Sequence, residues 1–182
     1  MTATRKLLLT LGLIVILLSL GAADALLTRD TLRVPTDGGI AKMKGADILA
    51  VAGAQGFTPV YSTEDFLLAK ILPAEAQVSS RVLLLNNDRV TALAWIESPD
   101  VQTIFTALRQ RLRPSFSPQL QDLIDETQSE PGKPPRDILS FRDPAIHSDR
   151  LLFARVRDRL FEFHVTDGKE AQVNGLLDAL TN

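Results

Sequence analysis

The chain has 182 residues, which predicts one folded domain, since domains usually take about 100 to 200 residues. Its hydrophobic fraction of 45% and charged fraction of 23% are typical of a globular protein and disfavour long disorder, collagen, coiled coil and a polytopic membrane protein. With a net charge of −2, the chain lacks the surplus of basic residues that nucleic-acid binding requires. The absence of cysteine excludes disulfides, thiolate metal sites and cysteine nucleophiles.

The N-terminal segment has the composition of an export signal. Arg5 and Lys6 precede the largely apolar run of residues 7–20. The sequence Ala23-Asp24-Ala25 then places small residues at both required positions of a cleavage site. We therefore predict that residues 1–25 are a signal peptide.

A second interpretation keeps this segment as an uncleaved signal anchor, with residues 7–23 as a short membrane-spanning helix. Both interpretations predict an extracytoplasmic domain, which is secreted or periplasmic after cleavage and otherwise tethered to the membrane by its N-terminal helix. Residues 26–44 combine a proline and a glycine pair with polar side chains, which predicts an extended tether. Residues 45–182 are then expected to form a single α+β domain.

The first elements of this domain are short. The apolar run from Ile48 to Ala52 is too brief to separate strand from helix by periodicity, and we predict a strand. The acidic sequence of residues 62–65 predicts the start of a helix over Phe66 to Leu72, which Pro73 would end. A strand is the alternative for that run.

The middle of the domain predicts a β-hairpin. Residues 81–85 and 89–97 are rich in strand-forming side chains, and Asn86-Asn87-Asp88 between them suits a tight turn. Both faces of the second strand are largely apolar. It therefore belongs inside a sheet that is covered on both sides, or covered on one side and facing a partner on the other.

Two helices and a loop are predicted next. Ser98-Pro99 begins the first helix, which runs to about Arg113 before Pro114. Ser117-Pro118 repeats the start signal, and the apolar spacing that follows predicts a second helix to about Gln128. Residues 129–137 hold three prolines and a glycine, which predicts an exposed loop before a short strand at residues 138–141.

A second hairpin is predicted over residues 151–156 and 159–165. A two-residue turn pairs Ala154 with Phe161 and Leu152 with Phe163, so these side chains share one apolar face. The opposite face mixes charged and apolar side chains and is expected to be partly solvated. Asp167 and Glu170 then match the capping box of a final helix.

This pattern of elements predicts an α+β fold. Strands and helices alternate in groups rather than singly, which is typical of a mainly antiparallel sheet. We expect that sheet to pack against about three helices, after the N-terminal signal or anchor helix.

Few residues suggest chemistry. The sequence lacks the local motifs of phosphate-binding loops, nucleophile elbows and zinc hydrolases, so no catalytic, cofactor-binding or metal-ligating residue is assigned. Glu162 and His164 project from one strand face and could form half of a metal site or an acid–base pair, but no third ligand can be named. We expect them to be an exposed polar pair. The sequence His147-Ser148-Asp149 is interpreted as a polar turn.

Arginines and aromatic residues give weaker signals. Arg155, Arg157 and Arg159 are candidate contacts for an anion or an acidic partner, because guanidinium groups pair bidentately with carboxylates and phosphates. Solvated surface charge is the alternative. Trp95 and Tyr61 are expected in the core or at its edge.

The function predicted from these observations is an exported or membrane-tethered, envelope-associated binding or assembly domain without catalytic activity or cofactor. Its expected partner is a protein of the cell envelope or membrane and not a nucleic acid, with membrane contact through the N-terminal segment if that segment is uncleaved. One alternative is an extracytoplasmic enzyme that uses carboxylates dispersed along the chain. Another is a structural subunit of a membrane complex, anchored by residues 7–23.

Overall fold

All strands of the described chain join one antiparallel sheet. The computed structural model describes residues 45–73, 76, 78–131 and 134–181. The strands are β1 (Thr58–Tyr61), β2 (Ser79–Leu85), β3 (Asp88–Glu97), β4 (Gln121–Gln128), β5 (Arg136–Arg142), β6 (Arg150–Val156) and β7 (Arg159–Val165). The helices are α1 (Gly45–Ala54), α2 (Leu67–Ile71), α3 (Val101–Leu112) and α4 (Glu170–Thr181), and a 3-10 turn spans Arg113–Ser115. The predicted signal or anchor and the tether lie outside the described residues.

The sheet consists of two meanders. Its strand order is β1-β2-β3-β7-β6-β5-β4, and each strand is antiparallel to its neighbours. Strands β3 and β7 join the two meanders at the centre of the sheet. The expected α+β class is confirmed at this level, with a seven-stranded antiparallel sheet and four α-helices in the described residues.

Both predicted hairpins are confirmed. Asn86 and Asn87 adopt φ of 53° and 67° in the first turn, which is the left-handed conformation that asparagine tolerates. In the second hairpin Arg157 takes φ of 54°, and Ala154 pairs with Phe161 as expected. The register therefore follows from the turn length and the period-two pattern.

Helices cover both faces of the sheet. On the first face, α1 and α4 contact each other and enclose a core of sheet side chains such as Phe161 and Phe163. On the second face, α3 packs on β6 and β7, while Phe66 before α2 packs on Ala92 and Ala94 of β3. The central strands β3 and β7 are therefore buried on both sides, as the apolar faces of β3 suggested.

The strand predicted at Ile48–Ala52 is wrong, because these residues belong to α1. Ile48 and Ala52 lie one helical turn apart and are both buried, so these apolar side chains lie on one face of the helix. Five residues are too few to reveal this period.

The helix predicted after Ser117 is also wrong, because residues 121–128 form the edge strand β4. The amide and hydroxyl of Ser117 both donate to the Asp143 carboxylate, at 2.7 and 2.6 Å, and the chain continues as a partner for β5. Leu123 and Ile124, which suggested a helical stripe, are 47% and 38% exposed. The predicted loop is shorter than expected, since β5 begins at Arg136.

The other helices agree with prediction in position and differ at their ends. Helix α3 begins at Val101, and the Ser98 hydroxyl accepts a hydrogen bond from the Asp100 amide at 3.1 Å. Helix α4 begins at Glu170, while Asp167 pairs with Arg142 at 2.6 Å. Among the helices of the described ranges, none is long and apolar enough to cross a bilayer.

Candidate functional site

The Glu162 carboxylate is buried at the centre of the sheet. Glu162 lies on β7 between Ala94 of β3 and Phe153 of β6, and it is 0% exposed. It accepts hydrogen bonds from the amides of Leu67 and Leu68 at 2.9 and 2.7 Å. The first turn of α2 has no side-chain cap of its own, so Glu162 supplies the acceptor that these amides need.

His164 lies beside Glu162 on the same strand face, with both ring nitrogens against carboxylates. Nε2 is 2.9 Å from Glu162 Oε1, and Nδ1 is 3.0 Å from Glu64 Oε2. The ring is 1% exposed and packs against Phe66 at 4.6 Å between centroids. The expectation of an exposed polar pair is therefore wrong, because α2 and the segment before it cover this face.

Hydrogen-bond accounting defines two states of this ring. When both carboxylates are ionised, each contact needs a proton on nitrogen, so the two hydrogen bonds together require an imidazolium. A neutral ring that keeps its proton on Nε2, facing Glu162, leaves a lone pair on Nδ1, facing Glu64. The second state resembles a metal-ligating histidine, which donates its other N–H to a carboxylate.

Arg89 holds the outer carboxylates in place. Its Nη2 donates to Glu64 Oε1 at 2.9 Å and to Asp149 Oδ2 at 2.8 Å, and its Nη1 donates to the Thr166 hydroxyl at 3.2 Å. Burial alone would lower the pKa of Arg89, but Asp149 and Glu64 outweigh burial and raise it. Arg89 thus fixes one Glu64 oxygen and leaves the other directed at His164.

His147 reaches the same place from the β5–β6 connection. The main chain of this loop is held by Asp143, whose carbonyl accepts from the amides of Ile146 and His147 at 2.9 and 3.0 Å. The pKa of Asp143 is lowered, first by the hydroxyl and then by the amide of Ser117. The polar turn expected here therefore holds His147 at a fixed place.

The His147 ring packs on the ring of His164, with 4.2 Å between centroids, and its Nδ1 accepts from the Asp149 amide at 3.0 Å. Burial lowers the pKa of His147, and His164 beside it lowers that pKa further when the His164 ring carries a positive charge. A lowered pKa keeps an imidazole neutral over a wider pH range, which is the form that can bind a metal ion.

These groups line an open cavity of about 380 Å³ on the second face of the sheet. One ligand atom from each of Glu64, His147 and His164 lies within 4.8 Å of the others, an arrangement that could hold a metal ion. Of the expected pair, His164 lies at the cavity and Glu162 lies behind it.

The candidate arginines lie elsewhere. Arg155 donates to the buried Asp137 at 2.6 Å, and Arg159 lies 3.8 Å from Glu97. Burial raises the pKa of Asp137, but the hydrogen bonds from Thr127 and Arg155 lower it by more, so the net shift is downward. Their role as an anion or partner contact stays a prediction.

Of the two aromatic residues expected in the core or at its edge, one lies there and the other does not. Trp95 is buried at 2% exposure, as expected. The expectation for Tyr61 is wrong, because it is 80% exposed on the edge strand β1.

Comparison of the chain with protein-family models, curated proteins and solved structures finds no match in any of the three. The geometry alone therefore supports a functional assignment. Sequence reasoning missed Glu64 and Arg89, which lie 100 and 75 positions from His164. No local spacing in the sequence connects residues so far apart. The sequence does show that each histidine has an acidic residue two positions away, Asp149 for His147 and Glu162 for His164.

Proposed function

We propose that this chain is an exported or membrane-tethered domain that binds a divalent transition-metal ion, best matched by Zn²⁺, through Glu64, His147 and His164. The observation that carries this proposal is the convergence of their ligand atoms within 4.8 Å, backed by a buried Glu162 that orients His164. Imidazole nitrogen with carboxylate oxygen is a common ligand set for zinc.

The distances between the ligand atoms fit a tetrahedral zinc ion after one adjustment, at His147. Bonds of about 2.0 Å at tetrahedral angles place neighbouring ligand atoms about 3.3 Å apart. Glu64 Oε2 and His164 Nδ1, at 3.0 Å, are close to that spacing. The His147 ring must turn before it can bind a metal ion. Its Nδ1 accepts from the Asp149 amide, so a neutral ring carries its proton on Nε2 and neither nitrogen has a free lone pair.

Charge also favours a cation. Glu64 and Asp149 pair with Arg89, and Glu162 pairs with His164. Three carboxylates and one guanidinium leave two negative charges when both histidines are neutral. Asp65 and Lys70 at the rim pair with each other at 2.7 Å and add no net charge. A dication offsets the excess fully, whereas an imidazolium at His164 offsets half of it. Uncompensated charge in a partly buried site is costly.

The test is calorimetric titration of Zn²⁺ into the chelator-treated full chain. We expect one ion per chain, with the affinity reduced at least about 100-fold by Glu64→Gln or His147→Gln. Asp65→Asn is the matched control, because it removes a neighbouring exposed carboxylate outside the ligand set, and it should change the affinity less than about threefold. Zinc binding that is equally strong in Glu64→Gln and His147→Gln would contradict the proposal, as would no binding at all.

A second candidate is the enzyme with dispersed carboxylates. Glu64 and Asp149 come from separate parts of the chain and line one cavity, with Glu162 behind His164, and this arrangement supports the candidate. Three protein ligands would leave a fourth position directed at the open cavity, as in catalytic zinc sites. Zinc-dependent hydrolysis of p-nitrophenyl acetate that is lost in His147→Gln would favour this candidate, and equal rates in both proteins would contradict it.

A further inference from the structure

A second cavity, of about 250 Å³, lies on the first face of the sheet, opposite the proposed metal site. Its floor is apolar and comes from β5 and β6, with Ile138 and Leu152 at 4% and 9% exposure. Val173 and Leu177 of α4 form one wall. Ile124 of the edge strand β4, which is 38% exposed, lies at the other side.

The cavity exists because the helices of this face are displaced towards the other half of the sheet. Helix α4 packs on α1 and β3, and α1 packs on β1. No described helix covers the outer strand β4 on this face, so a groove remains between α4 and the edge. Its apolar floor is continuous with the core, since Ile138 and Leu152 belong to the same buried cluster as Phe163.

One cation at this cavity has spare hydrogen-bonding capacity. Arg150 donates from Nε to the Ser140 hydroxyl at 3.0 Å. Its terminal nitrogens have only long contacts in the described chain, with the Asp122 carbonyl at 3.4 Å and the Asp122 carboxylate at 3.8 Å. The side chain is 17% exposed, so the charge is largely removed from water and poorly compensated.

The other arginine at the cavity is already engaged. Arg136 donates from Nε to Gln128 at 2.7 Å and from Nη1 to Asp178. Glu170 of α4 also lines the cavity, with its carboxylate 3.9 Å from the guanidinium of Arg142. The groove therefore has one incompletely paired cation, Arg150, together with an apolar floor and wall. A ligand that matches both features carries one negative group and an aliphatic chain.

We propose that this groove binds a free medium-chain carboxylate, with its carboxylate on Arg150 and Ser140 and its chain along Ile138, Leu152 and Leu177. A bidentate pair with Arg150 would replace the two long contacts. The volume sets the chain length: an apolar cavity of about 150 Å³ holds benzene, so about 250 Å³ accommodates about ten non-hydrogen atoms. Octanoate has that number.

The test is calorimetric titration of the full chain with butanoate, hexanoate, octanoate and dodecanoate. We expect affinity to rise about fourfold per methylene up to octanoate, the factor for burying one methylene group, and to stop rising at dodecanoate. Arg150→Gln should weaken octanoate binding at least about tenfold and leave the binding of octan-1-ol within about twofold. Equal loss for both ligands, or for neither, overturns the assignment of the carboxylate to Arg150.

A filling variant tests the place of binding without disturbing the core. Asn174 of α4 is exposed and borders the cavity, so Asn174→Trp should cover the groove and abolish octanoate binding. Gly175→Ala is the matched control on the same helix, because a Cβ there meets nothing within 4 Å, and it should leave binding unchanged. Octanoate binding that persists in Asn174→Trp, or is absent from the wild-type chain at millimolar concentrations, overturns the proposal.

Discussion

Replacing Glu162 tests the centre of the site most directly. Its carboxylate accepts from Leu67 and Leu68 and contacts His164 Nε2, all within 2.9 Å. Glu162→Ala would leave three buried polar groups without this partner. Each unsatisfied buried group costs about 1 to 3 kcal/mol, and breaking a buried charged network costs about 3 to 5 kcal/mol. We therefore expect Glu162→Ala to lower the free energy of unfolding by about 3 to 5 kcal/mol.

Glu162→Gln separates the structural role from the role in metal binding. The glutamine oxygen can replace only one of the two carboxylate oxygens, so one α2 amide keeps its acceptor and the other loses it, and we expect a smaller loss, of about 1 to 3 kcal/mol. When the glutamine oxygen stays with the Leu68 amide, its amide nitrogen takes the position of Oε1 and, as a donor, requires Nε2 of His164 to accept. The proton of a neutral ring then moves to Nδ1, which occupies the proposed ligand position. Zinc affinity should fall about 10- to 100-fold.

The assay is urea unfolding of the full chain, followed by the fluorescence of Trp95, the sole tryptophan and a buried one. Glu126→Ala is the control, since Glu126 is exposed on β4 and should change stability by less than about 0.5 kcal/mol. A Glu162→Ala variant as stable as this control would refute the buried network. A Glu162→Gln variant that binds zinc as tightly as wild type would refute the tautomer argument.

Three further predictions concern the core, the charged network and a turn. Phe163→Ala should cost about 3 to 5 kcal/mol in urea unfolding, because the ring is fully buried, and a loss below about 1 kcal/mol would contradict the core register. The pKa of Asp137 is lowered in the fold, so its stabilisation is present above about pH 4 and is lost as the pH falls further. The difference in unfolding free energy between wild type and Asp137→Asn should therefore shrink below about pH 4, and a constant difference from pH 7 to pH 2.5 would contradict this. Arg157→Gly should stabilise the hairpin by about 0.5 to 1 kcal/mol, because Arg157 has φ of 54°, and destabilisation would contradict the turn geometry.

Export is tested separately. The N-terminal composition predicts that protease added outside intact spheroplasts digests a tethered domain, or that a cleaved product begins at Leu26. The measurement is immunoblotting of the protease-treated fractions together with N-terminal sequencing. Full-length protein in the soluble cytosolic fraction would contradict both export interpretations.

The hairpins could be predicted from sequence because their determinants are local. Asn86 and Asn87 tolerate positive φ, and the alternation of apolar side chains in β6 and β7 sets the register across a two-residue turn. Helix α3 likewise has its apolar stripe and its C-terminal proline within one stretch of chain. In each of these elements, the interactions that favour the observed structure over its alternatives are between residues close together in the sequence.

Residues 117–128 show where local signals fail. Their serine–proline start and apolar spacing suit a helix, but Ser117 bonds to Asp143, 26 positions away, and β4 pairs with the edge of β5. The free energy of strand pairing depends on a free sheet edge at the right place. That edge exists only in the folded chain, so helix propensity did not decide the outcome.

The candidate site likewise has one part that the sequence predicts and another that it does not. The sequence by itself determined that Glu162 and His164 share one strand face, because side chains alternate with a period of two. Only the tertiary structure decided that this face is buried, and that Glu64, Arg89 and His147 meet His164 there. Burial and long-range charge pairing depend on how α2 and two distant loops pack over the sheet, and residues separated by up to 100 positions leave no spacing in the sequence that records this packing.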